Sequence, residues 1–126
     1  MPGTLIFKPI QAHFKKDDDD SQDKIDPYVK FKVGRHSKKT SVIKDIPLGS
    51  QAEWIEPVKF ERKDGEKRAK LQVKDHRLLK DSFVGEAEID LSLLGASNKM
   101  TQWFKLEDDK EVTGEILVEI EYLPHS

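Results

Sequence analysis

Four stretches of the chain alternate apolar and polar residues with a period of two. Single, mostly charged residues separate the apolar members, which are Val29, Phe31 and Val33; Ala69, Leu71 and Val73; Ala87, Ile89 and Leu91; and Ile116, Val118 and Ile120. Successive side chains of a β-strand point to opposite faces of the sheet, so this pattern is typical of strands with one buried face. No long stretch with a helical period competes, and we expect a turn of helix only at residues 92–99.

Further apolar segments predict four more strands, at residues 5–14, 40–43, 54–60 and 102–106. Pro9 has no backbone N–H, so we expect a bulge or an edge position in the first of them. Eight short strands joined by loops predict an all-β fold of two packed antiparallel sheets. The residues expected in its core are Val29, Phe31, Trp54, Leu71, Val73, Ile89, Trp103, Val118 and Ile120.

Length and composition limit what such a fold can do. The chain has 126 residues, the size of one domain, so we expect a single domain over residues 1–126. The absence of cysteine excludes disulfides, thiolate catalysis and cysteine-bound zinc. No apolar run approaches the ~20 residues of a membrane-spanning helix, and no signal-peptide core is present. We therefore expect a cytoplasmic protein that meets a membrane, if at all, as a peripheral protein.

The charges are segregated along the chain, although the net charge is only −2. Residues 17–26 carry six Asp and one Lys, whereas residues 27–44 carry six basic residues and no acid. The sign reverses again at residues 107–121, with seven acids and one Lys. This separation predicts distinct acidic and basic surfaces, each with its own partner.

Catalytic patterns are missing from the sequence. The four histidines stand apart, and no nucleophile and carboxylate can be assembled around any of them. There is no phosphate-binding loop and no dinucleotide fingerprint. We therefore expect no enzyme activity. We also expect no nucleic-acid partner, because acidic segments flank the basic one.

Five segments follow one another in the order of a known sequence pattern. They are Lys-Ile-Asp-Pro-Tyr-Val-Lys at 24–30, Gln-Ala-Glu-Trp-Ile-Glu at 51–56, Leu-Gln-Val-Lys-Asp at 71–75 with Phe-Val-Gly-Glu at 83–86, Trp-Phe-Lys-Leu at 103–106, and Gly-Glu-Ile-Leu-Val-Glu-Ile at 114–120. On these motifs, nearly the whole chain resembles the C2 domain family. The resemblance implies an eight-stranded antiparallel C2 β-sandwich of type II topology, acting as a calcium- and phospholipid-binding module.

The resemblance also implies a calcium site made of loop aspartates. It places Asp20 and Asp26 in the first binding loop and Asp75 at the start of the third, with Asp81 one residue away from the position of a further ligand. The third loop departs from the pattern, because Arg77 stands where the family has a second aspartate. We expect one weakly bound calcium ion, held by these four aspartates with carbonyls and water completing the shell. A calcium-independent domain is the alternative.

The basic segment and the third loop predict contact with an anionic membrane. In similar C2 domains this strand face recognises lipid headgroups, which here would be phosphatidylserine or a phosphoinositide. The headgroup-binding residues expected from the resemblance are Tyr28, Lys30, Lys32, Lys39 and Lys74. Leu78 and Leu79 lie between two cations, so we expect them to insert into the membrane. The alternative function is a calcium-independent scaffold that binds a protein partner.

Overall fold

Strands make up most of the chain in the structure, a computed structural model that describes residues 3–15, 24–62, 66–94 and 98–125. The strands of this part are β1 (Gly3–Phe14), β2 (Lys24–Ile25), β3 (Pro27–Val33), β4 (His36–Lys39), β5 (Ile46–Pro47), β6 (Gln51–Glu53), β7 (Val58–Arg62), β8 (Arg68–Asp75), β9 (Ser82–Asp90), β10 (Lys99–Asp108) and β11 (Glu111–Pro124). A short 3-10 helix, Leu91–Leu94, follows β9, where the sequence predicted a turn of helix at 92–99. No described helix is long or apolar enough to span a membrane.

The main sheet has the order β4-β3-β8-β9-β10-β11-β1-β6, with β7 also paired to β1. Strand β6 pairs with β1 at residues 11–13 and β7 pairs with it at residues 3–7, so the two are halves of one interrupted strand. Eight strand positions result, and all their pairings are antiparallel. The two ends of the sheet approach each other, since Lys38 of β4 donates to the Lys59 carbonyl of β7 at 2.6 Å. The predicted all-β fold of antiparallel strands is confirmed.

The predicted irregularity at Pro9 is confirmed and explains why one strand is interrupted. The register between β1 and β11 shifts between Pro9 and Gln11. Strand β7 pairs with β1 before this bulge and β6 pairs with it afterwards. The strand predicted at 54–60 is therefore wrong over residues 54–57, which have no strand structure. Because a bulge bends its strand, a straight partner cannot follow β1 across it.

The strand predicted at 40–43 is also wrong, because the hairpin after β3 is tighter than expected. Gly34, with a φ of 58°, turns the chain so that Val33 already pairs with His36. Strand β4 consequently ends at Lys39. The buried Thr40 then takes the Val29 N–H with its side-chain oxygen at 3.0 Å, which ends the regular ladder.

The core lies between the curled halves of the sheet, around three aromatic rings. Phe7 stacks on Phe31 with ring centroids 4.8 Å apart, and Phe60 meets Phe7 edge-on at 5.8 Å. Trp103 was expected in this core, but it is 40% exposed. Phe104 is the buried neighbour in β10, so the period of two places Trp103 on the outer face, where it lies 5.7 Å from the His13 ring. The other eight predicted core residues are buried.

Candidate functional site

The sandwich has two ends, which differ in chemistry. We call the end where Pro27 pairs with Asp75 the loop end, and the end where Val33 pairs with Ala69 the opposite end. The third loop, residues 76–81, joins β8 to β9 at the loop end. Of the four predicted calcium ligands, Asp26, Asp75 and Asp81 lie at the loop end, whereas Asp20 lies outside the described residues.

Asp75 is the buried charge of the loop end, with 3% of its surface exposed. Its Oδ1 accepts the Asp26 backbone N–H at 2.9 Å. Its Oδ2 lies 2.6 Å from Nη2 of Arg77, which is half-exposed. Burying an unpaired carboxylate is costly, so the guanidinium and the amide together stabilise the charge of Asp75.

Asp26 connects three segments of the loop end. Its side-chain Oδ1 accepts the Asp45 N–H at 2.8 Å, and its carbonyl accepts the His76 N–H at 2.9 Å. Asp45 adopts a φ of 61°, a conformation that aspartate tolerates better than most residues. The carboxylate of Asp26 therefore fixes the backbone of the segment after β4, while its carbonyl holds the start of the third loop.

Asp81 folds the third loop back onto β3. Its carboxylate accepts the Tyr28 hydroxyl, the Arg77 N–H at 3.1 Å and a contact from His76 Nδ1 at 3.3 Å. The bond from Tyr28, followed by that from Arg77, holds the pKa of Asp81 below its ordinary value. Burial, reinforced by the hydrogen bond and charge of Asp81, raises the pKa of Tyr28 to about 12. The Tyr28 hydroxyl thus binds Asp81, and the residue as a whole is buried.

The described aspartates, Asp26, Asp75 and Asp81, do not fit a calcium ion as they are arranged here. Calcium needs six to eight oxygen ligands. Both carboxylate oxygens of Asp75 and both of Asp81 already bind protein groups, among them the Arg77 cation. Within residues 3–15, 24–62, 66–94 and 98–125, no group of three or more acidic or histidine side chains is placed to hold a metal ion.

A basic groove lies beside the loop end, on the outer face of β3, β4 and β8. It has a volume of about 310 Å³ and is lined by Tyr28, Lys30, Ser37, Lys38, Lys39 and Lys74. Lys30 lies directly opposite Lys39, and the Lys39 ammonium is 5.3 Å from the centre of the Tyr28 ring. None of Lys30, Lys39 and Lys74 forms an ion pair with a described carboxylate. Like charges paired across strands are destabilising, so the groove is electrostatically suited to an anion.

Two lysines of the basic segment have other positions. Lys32 lies further along β3, opposite Lys70, and does not line the groove. Lys38 lines the groove, although it was not predicted, but its ammonium binds the Lys59 carbonyl and lies 5.5 Å from the Phe60 ring. The period of two in β4 could have indicated that Lys38 and Lys39 point in different directions. Lys38 therefore contributes mainly to closing the sandwich.

The tip of the third loop exposes two apolar side chains completely. Leu78 is 100% exposed and Leu79 is 98% exposed, and the cations Arg77 and Lys80 flank them. Exposed single leucines are common, but two adjacent ones that are both completely exposed contribute nothing to the core. The loop end thus combines an apolar tip, a half-exposed arginine and an adjacent basic groove.

This fold is that of a known family. The family model of the C2 domain matches residues 3–106, and the chain therefore belongs to the C2 domain family. Comparison with curated protein sequences gives no match.

Solved structures agree with this assignment. A C2 domain-containing protein is 27% identical with a TM-score of 0.81, over 99% of this chain and 91% of that one. A C2 domain of plant extended synaptotagmin 1 is 25% identical with a TM-score of 0.79, over 98% of this chain and 96% of that one. Calcium-bound extended synaptotagmin 2, solved with two C2 domains, is 25% identical with a TM-score of 0.74, over 96% of this chain but only 45% of that chain.

Proposed function

We propose that this C2 domain docks as a peripheral protein onto anionic phospholipid at the cytoplasmic face of a membrane. The observation that carries the proposal is the pair of fully exposed leucines, Leu78 and Leu79, beside the basic groove. Three lysines of this groove form no ion pair with a described carboxylate, namely Lys30, Lys39 and Lys74. The cytoplasmic leaflet is rich in anionic lipid and attracts basic surfaces. The proposal includes no catalytic step.

The two parts of the surface supply different contributions to binding. Burying apolar side chains in the acyl region contributes roughly 0.8 kcal/mol per methylene, and it is insensitive to salt. Each lysine held near an anionic leaflet contributes about 1 kcal/mol, and salt screens this term. Lys30, Lys39 and Lys74 together should therefore contribute about 3 kcal/mol at low ionic strength. Phosphatidylserine and phosphoinositides both offer the phosphate that the groove would accept.

The calcium dependence expected from the sequence is a separate, finer part of the function. The calcium-bound relative gives that expectation some support. The paired state of Asp75 and Asp81 counts against it, since an ion would have to displace existing partners. Docking through lysines and leucines requires no metal, so the proposal holds with or without calcium.

Vesicle co-sedimentation tests the proposed function. The wild-type domain should bind phosphatidylcholine vesicles that contain phosphatidylserine, and should bind pure phosphatidylcholine vesicles much more weakly. Changing Lys30, Lys39 and Lys74 together to Ala should weaken binding by about 100-fold at low salt and flatten the salt dependence. A separate Lys32→Ala variant shows whether headgroup contact extends beyond the groove.

A second triple variant controls for the loss of charge. Lys8, Lys59 and Lys105 are exposed on other strands, outside the groove. Changing these three lysines to Ala removes the same number of positive charges, and it should leave vesicle binding within a few-fold of the wild type. If both triple variants bind alike, the groove has no special role. If the wild-type domain ignores anionic vesicles in every buffer, the proposed function is wrong, and a scaffold that binds a protein partner becomes the better explanation.

A further inference from the structure

Arg77 joins the interior of the loop end to its surface. It follows the buried Asp75 by two residues, and its Nη2 lies 2.6 Å from the Asp75 Oδ2. The Asp75 side chain is almost completely buried, whereas the Arg77 side chain is 55% exposed. One face of the guanidinium therefore neutralises an internal carboxylate, while the rest of the group faces the solvent.

A positive charge at this position stabilises the fold. Asp75 is the last residue of β8, opposite Pro27 of β3, and its only other described partner is the neutral N–H of Asp26. A buried carboxylate without a cationic partner would be strongly unfavourable. The chain supplies that cation itself, through a covalently attached and permanently charged guanidinium.

The exposed part of Arg77 would lie at the height of lipid headgroups if the tip of the third loop enters a membrane. Leu78 and Leu79 follow it directly at the tip of the loop. If the leucines enter the acyl region, the residue before them must lie at the phosphate level, where arginine side chains extend to reach polar groups. A guanidinium has five donors in a planar fork that fits two phosphate oxygens. Asp75 uses one edge of this fork, which leaves donors for an anion.

We propose that Arg77 is a built-in cation that bridges Asp75 to a lipid phosphate and makes membrane docking independent of calcium. The inference rests on the proposed function for the identity of its ligand. Its geometric basis is the Arg77–Asp75 ion pair, together with the exposure of the guanidinium beside the leucine tip. A divalent ion that binds Asp75 would lie close to this guanidinium, and two positive charges in contact with the same carboxylate repel each other strongly where the dielectric constant is low.

Arg77→Asp provides the decisive variant. It leaves Asp75 without its cation and adds a second carboxylate two residues away, while the backbone N–H of residue 77 can still bind Asp81. We expect the variant to melt below the wild type in EDTA, and to recover in millimolar calcium chloride because calcium then neutralises both carboxylates. Calorimetric titration should show calcium binding to Arg77→Asp and none to the wild type. These two measurements need no membrane.

Vesicle binding supplies the second arm. In EDTA, Arg77→Asp should bind phosphatidylserine-containing vesicles about thirtyfold more weakly than the wild type, since each charge near the leaflet is worth about fivefold. Calcium should restore its binding, whereas wild-type binding should be equal in calcium and in EDTA. Free inorganic phosphate at millimolar concentration should compete poorly, because a single phosphate lacks the apolar contact of the leucines.

Two further variants separate the loss of the Arg77 cation from the gain of an acid and from a general effect of charge. Arg77→Ala removes the cation without adding an acid, and should weaken vesicle binding about fivefold in both buffers. Arg35→Asp makes the same charge change in the β3–β4 turn at the opposite end, about 20 Å away along β3, and should change binding less than about twofold.

The possible failures are distinguishable. The inference is overturned if the wild type requires calcium to bind vesicles, if Arg77→Asp shows neither calcium binding nor thermal recovery, or if Arg77→Asp and Arg35→Asp bind vesicles alike in EDTA. Each of these results leaves the proposed function standing. Only a wild type that fails to bind anionic vesicles in both buffers contradicts the proposed function itself.

Discussion

Changing Leu78 and Leu79 together to Ala separates membrane binding from folding. Each substitution removes three carbon groups, which corresponds to about 2.4 kcal/mol of transfer free energy at full insertion. The pair therefore contributes at most about 5 kcal/mol, and half-depth insertion would still correspond to more than tenfold in the vesicle partition constant. Both side chains are already completely exposed, so the free energy of unfolding should stay within about 0.5 kcal/mol of the wild type.

The assay is vesicle co-sedimentation at high salt, where the lysine contribution is screened and the apolar contribution remains. Urea unfolding of the same samples confirms that the fold is intact. Leu93→Ala is the matched control, because Leu93 is also an exposed leucine but lies in the 3-10 helix that follows β9 at the opposite end. The single variants show whether one leucine inserts more deeply than the other. A double variant that folds normally and binds as tightly as Leu93→Ala would refute insertion at this loop.

Two further predictions concern the stability of the fold. Tyr28→Phe should lower the melting temperature by about 4 °C at pH 7, because it removes the hydroxyl that donates a hydrogen bond to Asp81. An unchanged melting temperature would contradict the importance of that bond. Because the pKa of Tyr28 rises from 10.0 to about 12, its contribution to stability is complete below pH 10 and is lost as the pH rises towards 12. Between pH 9 and about 12, the melting temperature should therefore fall less steeply with pH for Tyr28→Phe than for the wild type. Gly114→Ala should lower the free energy of unfolding by about 1–3 kcal/mol in urea, because a Cβ there would collide with the His13 carbonyl of the adjacent strand. No change in that free energy would show that β1 and β11 can separate locally.

The alternation of apolar residues was enough to identify the sandwich, because one buried face per strand fixes the register of side chains. It could not place Trp103 correctly, since Trp103 and Phe104 are adjacent apolar residues and either could have faced the core. The register of β10 with β11 decides this, because it sets Phe104 opposite the buried Ile116, and such long-range pairing is not encoded locally. The interrupted strand has the same origin, since the bulge that causes it lies in β1 rather than in residues 54–57.

The candidate site was partly predictable for a similar reason. The sequence predicted that Asp26, Asp75 and Asp81 lie near one another, and the structure has all three at the loop end, while their role as calcium ligands stays a prediction. The sequence also identified Arg77 as the departure from the family pattern. What it could not provide was the direction of each side chain. In the structure the Arg77 guanidinium pairs with Asp75 at the end of β8, and the Tyr28 hydroxyl of β3 donates to Asp81. Only the folded chain determines these two contacts.

The link between Lys38 and the Lys59 carbonyl has a consequence for behaviour in crowded conditions. Strands β4 and β7 are the outer strands that approach each other at this seam, and exposed strand edges are places where separate molecules can pair and aggregate. Confinement to a membrane raises the local concentration of a domain and so increases the chance of such encounters. Strand β4 has only four residues, two of them lysines, and one lysine already occupies a carbonyl of β7. The seam therefore offers few free backbone groups to a neighbouring molecule, and this should keep the domain monomeric where it accumulates.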